Sequence, residues 1–424
     1  MRFKRYILLS LVLCGLVACS DDNTIEIPEA PVLEKAQLAL AIKSEKGAMT
    51  KAAEEATPTD ADVNTLTVGV FGTGWSMVYT VSGEDIKTST STDVTTQEIG
   101  PKEVYAGAAE VVVVANASAN VQAALANAGT KDAFLATVIK LEEETLEKGL
   151  TMSSEVLTVT LVANTTNYIG YSTKPGDITV GGQAGKEIYG AGPVKLVRDV
   201  ASIALASVTH SNPDNANYIS KDFVLKEVFI ASAKGVSCVA SASNWGGIEK
   251  TFDFTSTGFG YLNYMVGNID EGSYKKGTQT KRDELAKVHT TDNTALNHEF
   301  YVYENKLGEI AKADEASANR AYANHTLLIV KGDYTYLPKG LVDNESNYVK
   351  KEDCYYAIPV GEKVTIDSKE IEGFYVQRNY KYAITLTIIG PGSEIPYDPM
   401  ISANVSASVK VEPWNVKTIH EEVE

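Results

Sequence analysis

Alternation of apolar and polar residues along the chain is the first indication of how it folds. Near the C-terminus two segments alternate almost without interruption, at residues 380–388 and 405–411. A shorter segment at residues 36–43 places Leu38, Leu40 and Ile42 on one face. Because successive side chains of a strand point to opposite faces, each of these segments predicts a β-strand with one apolar face.

Other apolar runs along the chain also favour strands. The run at residues 110–116 has the length and the β-branched content of a buried strand. Further strands are predicted at residues 65–71, 157–162, 168–171, 194–208, 223–232, 326–330 and 355–360. Two helices are predicted after residue 116. In the second, Phe134, Val138, Leu141 and Thr145 recur at helical spacing, with residues 142–144 facing water.

These elements predict the domain organisation. A glycine-dense stretch at residues 176–192 separates two sets of strands. We therefore expect a mainly β fold of two tandem β-sandwich domains, an N-terminal one at residues 52–192 with short helical insertions and a C-terminal one at residues 193–424.

The beginning of the chain has the pattern of an export signal at residues 1–18. A basic start precedes an apolar run at residues 6–17, which is too short to span a bilayer. Leu16-Val17-Ala18-Cys19 has the form of a bacterial lipobox, which predicts that Cys19 carries a lipid. An ordinary signal peptide with a chance cysteine is the alternative.

Two polar segments flank the first predicted strand. Ser20, Asp21 and Asp22 form an acidic cluster similar to the surface-export signal of Bacteroidetes lipoproteins, although a merely solvated tether would look the same. Residues 44–62 lack apolar periodicity and contain Lys46 and Lys51, so they predict an exposed loop that a protease can reach.

Charge and composition exclude several function classes. The formal net charge of −17 argues against binding nucleic acid or anionic lipid through a basic face. The histidines and cysteines show no zinc-binding spacing, no nucleophile elbow is present, and we expect no metal, no cofactor and no enzymatic activity. Cys238 and Cys354 are expected to be buried thiols, with a single disulfide left open as the alternative.

Taken in order, several short motifs resemble a known family. The chain resembles the fimbrillins of the Bacteroidetes, which are type V pilins and major fimbrial subunits. The motifs that carry the resemblance are the lipobox with its acidic cluster, Thr50-Lys51-Ala52 in the loop, the strand that ends at Val114-Ala115-Asn116, Val197-Arg198-Asp199-Val200-Ala201, Gln377-Arg378-Asn379-Tyr380-Lys381-Tyr382 running into Ile388-Ile389-Gly390-Pro391-Gly392, and Val409-Lys410-Val411-Glu412-Pro413-Trp414.

The resemblance implies a mechanism of assembly and domains of transthyretin-like topology. A lipoprotein precursor anchored to the outer membrane by its lipid would reach the cell surface. A trypsin-like protease would then cut the loop between Lys51 and Ala52, with Lys46 and Gly47 as the second choice. The family usually has arginine at the position of Lys51, so the identity of the protease and of the bond stays open.

Cleavage would release the propeptide at residues 19–51, including the strand with Leu38, Leu40 and Ile42. Another copy would fill the vacated groove with a donor strand at about residues 405–419, and the chain would become part of a fimbrium that supports adhesion. The expected partners are further copies and related pilus subunits, the protease, and host or bacterial surface ligands. The donor residues expected to face the groove are Val405, Ala407, Val409, Val411 and Trp414.

Three alternatives remain from the sequence. An anchor subunit would keep its lipid and first strand, and a tip subunit would lack a donor tail. A monomeric surface lipoprotein could bind glycan through Trp75 or Trp245, since tryptophan also serves as a sugar platform.

Overall fold

The fold is described from a computed structural model of the chain. The structure describes residues 33–44, 62–91, 94–171, 188–189, 192–212, 217–231, 236–239, 289–290, 296, 299–305, 326–366, 369–394 and 405–413. Two α-helices and 23 strands lie in these ranges, and the expectation of a mainly β fold is confirmed.

The helices are α1 (Ala119–Ala126) and α2 (Lys131–Leu135). The strands are β1 (Lys35–Ser44), β2 (Thr65–Gly72), β3 (Trp75–Ser82), β4 (Ile86–Ser91), β5 (Val94–Tyr105), β6 (Gly107–Ala115), β7 (Val138–Lys140), β8 (Met152–Ser153), β9 (Leu157–Leu161), β10 (Thr166–Ile169), β11 (Ile188–Tyr189), β12 (Val194–Arg198), β13 (Val200–His210), β14 (Tyr218–Ala231), β15 (Val236–Cys238), β16 (His289–Thr290), β17 (Phe300–Tyr303), β18 (Leu327–Pro338), β19 (Val349–Pro359), β20 (Glu362–Ile366), β21 (Lys369–Tyr375), β22 (Tyr380–Ile388) and β23 (Val405–Pro413).

The N-terminal strands join in one 11-stranded sheet. Its main path runs β11-β10-β1-β12-β8-β6-β2-β3, while β5 pairs with β1 and β4, and β9 pairs with β6. Apolar residues from β1, β2, β5, β6, β9, β10 and β12 form one buried core. Helices α1 and α2 follow β6, and the side chains of Ser118 and Thr130 accept hydrogen bonds from the first-turn amides of these helices.

The C-terminal strands form two four-stranded sheets, β17-β13-β22-β23 and β16-β14-β18-β19. Buried residues of both sheets, including Ile203, Ile384, Val228 and Val330, belong to one apolar cluster, so the two sheets pack against each other. The same cluster includes Phe134 of α2 and other N-terminal residues, which joins the two halves of the described chain.

Two features differ from the sequence pattern or refine it. The predicted second helix is wrong beyond Leu135, because residues 138–140 form β7, which pairs with β15 across the chain. Residues 142–144 do not all face water, since Glu144 is buried. The division at residue 192 stays a prediction. In the sheets β12 pairs with β1 and β8, and Asp199 lies between β12 and β13.

Candidate assembly site

Strand β1 lies inside the N-terminal sheet and is paired along both of its edges. One edge is antiparallel to β5, from Lys35 opposite Tyr105 to Lys43 opposite Thr96. The other edge is parallel, first to β10 at residues 37–40 and then to β12 at residues 42–44. A strand in this position satisfies backbone donors and acceptors on two sides, so a sheet without β1 would have two unpaired edges.

The side chains of β1 also fill the core. Leu38, Leu40 and Ile42 are completely buried and pack in the N-terminal core, together with Ala36. On the opposite face Ala39 and Ala41 are each 2% exposed, whereas Gln37 is exposed. The slot that holds β1 is therefore lined on both faces in its central part.

Polar groups of the neighbouring segments bind the backbone of β1. The buried Asn167 side chain donates to the Gln37 carbonyl oxygen at 3.1 Å, and the Tyr171 hydroxyl donates to the Leu40 carbonyl oxygen at 3.4 Å. Burial raises the pKa of Tyr171 to about 12, so the hydroxyl stays a donor at neutral pH. These groups recognise main chain rather than a particular side chain, and another strand could satisfy them.

A separate group of hydrogen bonds holds the chain at residues 62–64, just before β2. The Asn116 side chain donates to the carbonyl oxygens of Asp62 and Leu150 at 2.6 and 3.0 Å, and accepts from the Asn64 amide at 2.8 Å. Asn116 has a φ of 56°, which asparagine tolerates better than most residues. A Cβ at Gly149 would overlap the Asn116 amide, so glycine is required there. The chain is thus fixed at residue 62 by contacts that do not involve β1.

Strand β23 lies at the edge of a C-terminal sheet. It pairs antiparallel with β22 from Val405 opposite Ile388 to Pro413 opposite Tyr380, and the sheet order ends with it. Ala407 and Ser408 are exposed. An edge strand has one set of backbone groups free of sheet partners, and it separates from its sheet at lower cost than an interior strand such as β1.

Several predicted site residues lie outside the described residues. Of the donor set, Val405, Ala407, Val409 and Val411 lie in β23, and the three predicted residues of the released strand lie in β1. Outside the described residues lie Cys19, Ser20, Asp21, Asp22, Lys46, Gly47, Lys51, Ala52, Trp245 and Trp414.

A buried ion cluster connects the two halves of the chain, and sequence reasoning missed its role. Arg378 Nη1 donates to Asp199 Oδ1 at 2.8 Å, and Arg378 Nη2 donates to Glu304 Oε1 at 2.6 Å. Asp199 Oδ1 also accepts from Ser153 Oγ in β8 at 2.8 Å. Burial raises the pKa of Asp199 well above its ordinary value, while Arg378 opposes that shift. The sequence did offer one indication of this cluster, because Asp199 and Arg378 are charged residues inside the Val197–Ala201 and Gln377–Tyr382 motifs.

Glu144 makes a second buried contact between the two halves. Its side chain accepts from the Thr151 amide and from the Tyr303 hydroxyl, both at 2.9 Å. The cluster around Arg378 and this contact hold β13 and β17 against the N-terminal sheet. Glu144 follows two other glutamates in the sequence, and nothing in that pattern indicated that it alone of the three would be buried.

Other candidate chemistry receives little support in the described part of the chain. Those residues contain no cluster of three or more metal-ligating side chains and no helix long and apolar enough to cross a membrane. Trp75 packs edge-on against Tyr105 with ring centroids 5.4 Å apart. Cys238 and Cys354 are both buried and are not joined as a disulfide.

Comparisons with known proteins agree with this architecture. The model of the major fimbrial subunit protein (FimA) family matches residues 36–198. The major fimbrium subunit FimA type-2 of Porphyromonas gingivalis is 26% identical over 431 residues, which cover 98% of each chain.

Two solved structures are similar over most of the chain. A protein of Parabacteroides distasonis, named for cell adhesion, is 64% identical with a TM-score of 0.72, covering 91% of this chain and all of that one. A fimbrilin (FimA) of Porphyromonas gingivalis has the same fold, with a TM-score of 0.53 and 20% identity over 90% of this chain and 98% of that one.

These similarities define the class of protein as a fimbrial subunit of the cell-adhesion type, found at the cell surface. The chain is similar to the major fimbrial subunit (FimA) proteins, the fimbrillins, over nearly its whole length, and residues 36–198 match the model of that family.

Proposed function

We propose that the protein is a subunit of the fimbrial shaft that is exported as a lipoprotein precursor, matured by proteolysis and polymerised by donor-strand exchange. The observation that carries this proposal is the contrast between the first and last described strands. Strand β1 fills an interior slot and is separated from β2 in the sequence by a segment with two lysines, whereas β23 lies at an edge. Removal of β1 would leave a groove, and β23 is a strand that another copy could accept.

The energetics favour a stable filament. Burying three valines and Trp414 of the donor segment would contribute about 1.5–3 kcal/mol each, or about 6–12 kcal/mol together. Main-chain hydrogen bonds on both edges of the slot would add about 0.5–1.5 kcal/mol apiece. Part of this is offset by the entropy of ordering the tail and by its release from β22. The surplus supports a joint that seldom dissociates.

The proposal assigns a role to each end of the chain. Cys19 would hold the precursor at the outer membrane until a trypsin-like protease cuts the loop, and the acidic cluster at residues 20–22 would direct it to the surface. After cleavage the subunit would carry no lipid, and contacts between copies would retain it. Related subunits would cap or anchor the fimbrium, and surface ligands would be bound by the assembled filament.

Proteolytic maturation is tested by changing the lysines of the loop. We expect mature wild-type subunits to begin at Ala52 by mass spectrometry, or at Gly47 if Lys46 is the site. Lys51→Ala should leave the precursor intact, whereas Lys51→Arg, which a trypsin-like protease still accepts, should be processed normally. If Lys51→Ala and Lys46→Ala together leave both processing and filaments unchanged, the maturation step is wrong.

Strand donation is tested by removing the tail. A chain without residues 405–424 should fold, be processed and remain monomeric, because its groove is open and it has no donor strand. Adding purified wild-type subunits should cap it as a dimer through their tails. Persistent filaments of the truncated chain would refute donation by this segment. A wild-type chain that keeps its lipid and first strand would instead be an anchor subunit.

A further inference from the structure

The slot of β1 makes different demands on its two faces. On the core face Leu38, Leu40 and Ile42 are fully buried among apolar side chains. On the opposite face the two buried positions are occupied by Ala39 and Ala41. Any strand that replaces β1 must therefore alternate apolar residues with small ones over this stretch.

Residues 168–171 lie close against the backbone of β1 beside these two positions. Gly170 lies against the Ala41 carbonyl, and a Cβ added at Gly170 would overlap that oxygen. The Tyr171 hydroxyl contacts the neighbouring Leu40 carbonyl, and its ring packs edge-on against Tyr168 at 5.3 Å. Ala39 and Ala41 are themselves almost fully buried, so a longer side chain at either position would have to displace its neighbours, and burying a charge there would be costly.

The C-terminal segment repeats the pattern of β1 residue by residue. Residues 36–44 read Ala-Gln-Leu-Ala-Leu-Ala-Ile-Lys-Ser, and residues 403–411 read Ala-Asn-Val-Ser-Ala-Ser-Val-Lys-Val. In this alignment Ser406 and Ser408 correspond to the small buried positions Ala39 and Ala41. Lys410 corresponds to Lys43, which is half-buried, and Ala407 corresponds to Leu40.

We propose that residues 403–411 of one copy occupy the slot of residues 36–44 in the next copy, in the same direction and register as β1. The inference rests on the proposed strand exchange and fixes its geometry. Ala407 then takes the place of Leu40 at the centre of the slot, and Ser406 and Ser408 take the buried places of Ala39 and Ala41.

Neighbouring registers fit less well. Moving the donor by two residues in one direction brings Lys410 to the buried position of Ala41. Moving it by two in the other direction brings Asn404 to the position of Ala39 and the small Ala403 to that of Leu38. A shift by one residue would place the serines in the core. Only the register centred on Ala407 meets the demands of both faces.

The direction is set by the edges of the slot. Residues 405–409 have the sequence Val-Ser-Ala-Ser-Val, which is the same in both directions, so their side chains do not favour one direction of the donor strand over the other. The slot, however, has an antiparallel neighbour, β5, on one edge and parallel neighbours, β10 and β12, on the other. Because the two kinds of ladder place their hydrogen bonds differently, a donor in the direction of β1 satisfies the existing pattern on both edges.

Engineered disulfides between copies test both register and direction. Ala41 lies opposite Glu98, and Lys43 lies opposite Thr96. The double variants Glu98→Cys with Ser408→Cys and Thr96→Cys with Lys410→Cys should therefore give covalent ladders on non-reducing gels, since opposed Cβ atoms are close enough to bridge. The mature subunit without added cysteines is the background control, and its two cysteines are buried.

Two other double-cysteine variants would form cross-links only if the proposed register or direction is wrong. A ladder from Glu98→Cys with Lys410→Cys would mean a shifted register, and a ladder from Glu98→Cys with Ser406→Cys would mean a reversed or oppositely shifted strand; either overturns the proposal. Filaments are counted first under reducing conditions. Absence of filaments from the wild-type mature chain would count against strand exchange itself, whereas filaments with the wrong cross-links count only against the register.

A second measurement does not depend on cross-linking. In the proposed register Ala407 leaves unfilled the volume that Leu40 occupied, so Ala407→Leu should raise the temperature at which filaments dissociate by several degrees. In a register shifted by one residue, which places residue 407 at the small buried position of Ala39 or Ala41, the same change should lower that temperature. Ala407 is exposed on β23, so the monomer should be little affected.

Discussion

Replacing Leu40 by alanine should affect the precursor and the filament differently. Leu40 is fully buried at the centre of β1, where it lies opposite Ile99 on one edge and Ile169 on the other. Loss of about three methylene equivalents costs about 2.4 kcal/mol of transfer free energy. The cavity that remains adds to this, so we expect the free energy of unfolding of the precursor to fall by about 3–4 kcal/mol.

The same substitution should leave the mature filament unchanged, because residue 40 is removed with the propeptide. The precursor is assayed by urea unfolding, on a Lys51→Ala background that prevents cleavage, and the filament by thermal dissociation. Leu66→Ala is the matched control, since Leu66 of β2 is equally buried in the same core and stays in the mature chain. It should destabilise both forms. A filament weakened by Leu40→Ala as much as by Leu66→Ala would refute release of β1.

Three further predictions concern the rest of the fold. Arg378→Leu should lower the free energy of unfolding by about 3–5 kcal/mol in urea, because it leaves two buried carboxylates without their cation; a loss below about 1 kcal/mol would contradict the structural role of the cluster. Glu144→Gln should cost about 1–3 kcal/mol, since an amide can accept only one of the two hydrogen bonds made here, and Tyr303→Phe should cost less. Burial alone would raise the pKa of Asp333, but hydrogen bonds, led by the one from Lys226, lower this pKa to about 2. Its contribution, up to about 2 kcal/mol, is therefore fully present above about pH 4 and is lost as the pH falls through about 2. The stability difference between wild type and Asp333→Asn should disappear over that range in acid titrations of unfolding, and a difference that persists below pH 2 would refute the assignment.

The alternating segments at both ends of the chain could be predicted because a strand with one buried face must alternate. Residues 36–43, 380–388 and 405–411 all form strands. The same reasoning failed after Leu135, where helical spacing continued in sequence but β15 offered a strand partner for residues 138–140. Local periodicity does not report a partner that lies about 100 residues away in sequence.

By itself the sequence determined that the alternating segments near both ends of the chain are strands and which residues of β1 and β23 share a face, because these follow from local polarity and from the two-residue repeat of a strand. Only the tertiary structure decided that β1 is interior and β23 lies at an edge, that Ala39 and Ala41 must be small, and that Asp199, Glu304 and Arg378 meet. Each of these depends on contacts between residues distant in the chain, and their free energy comes from burial and pairing that no single segment contains.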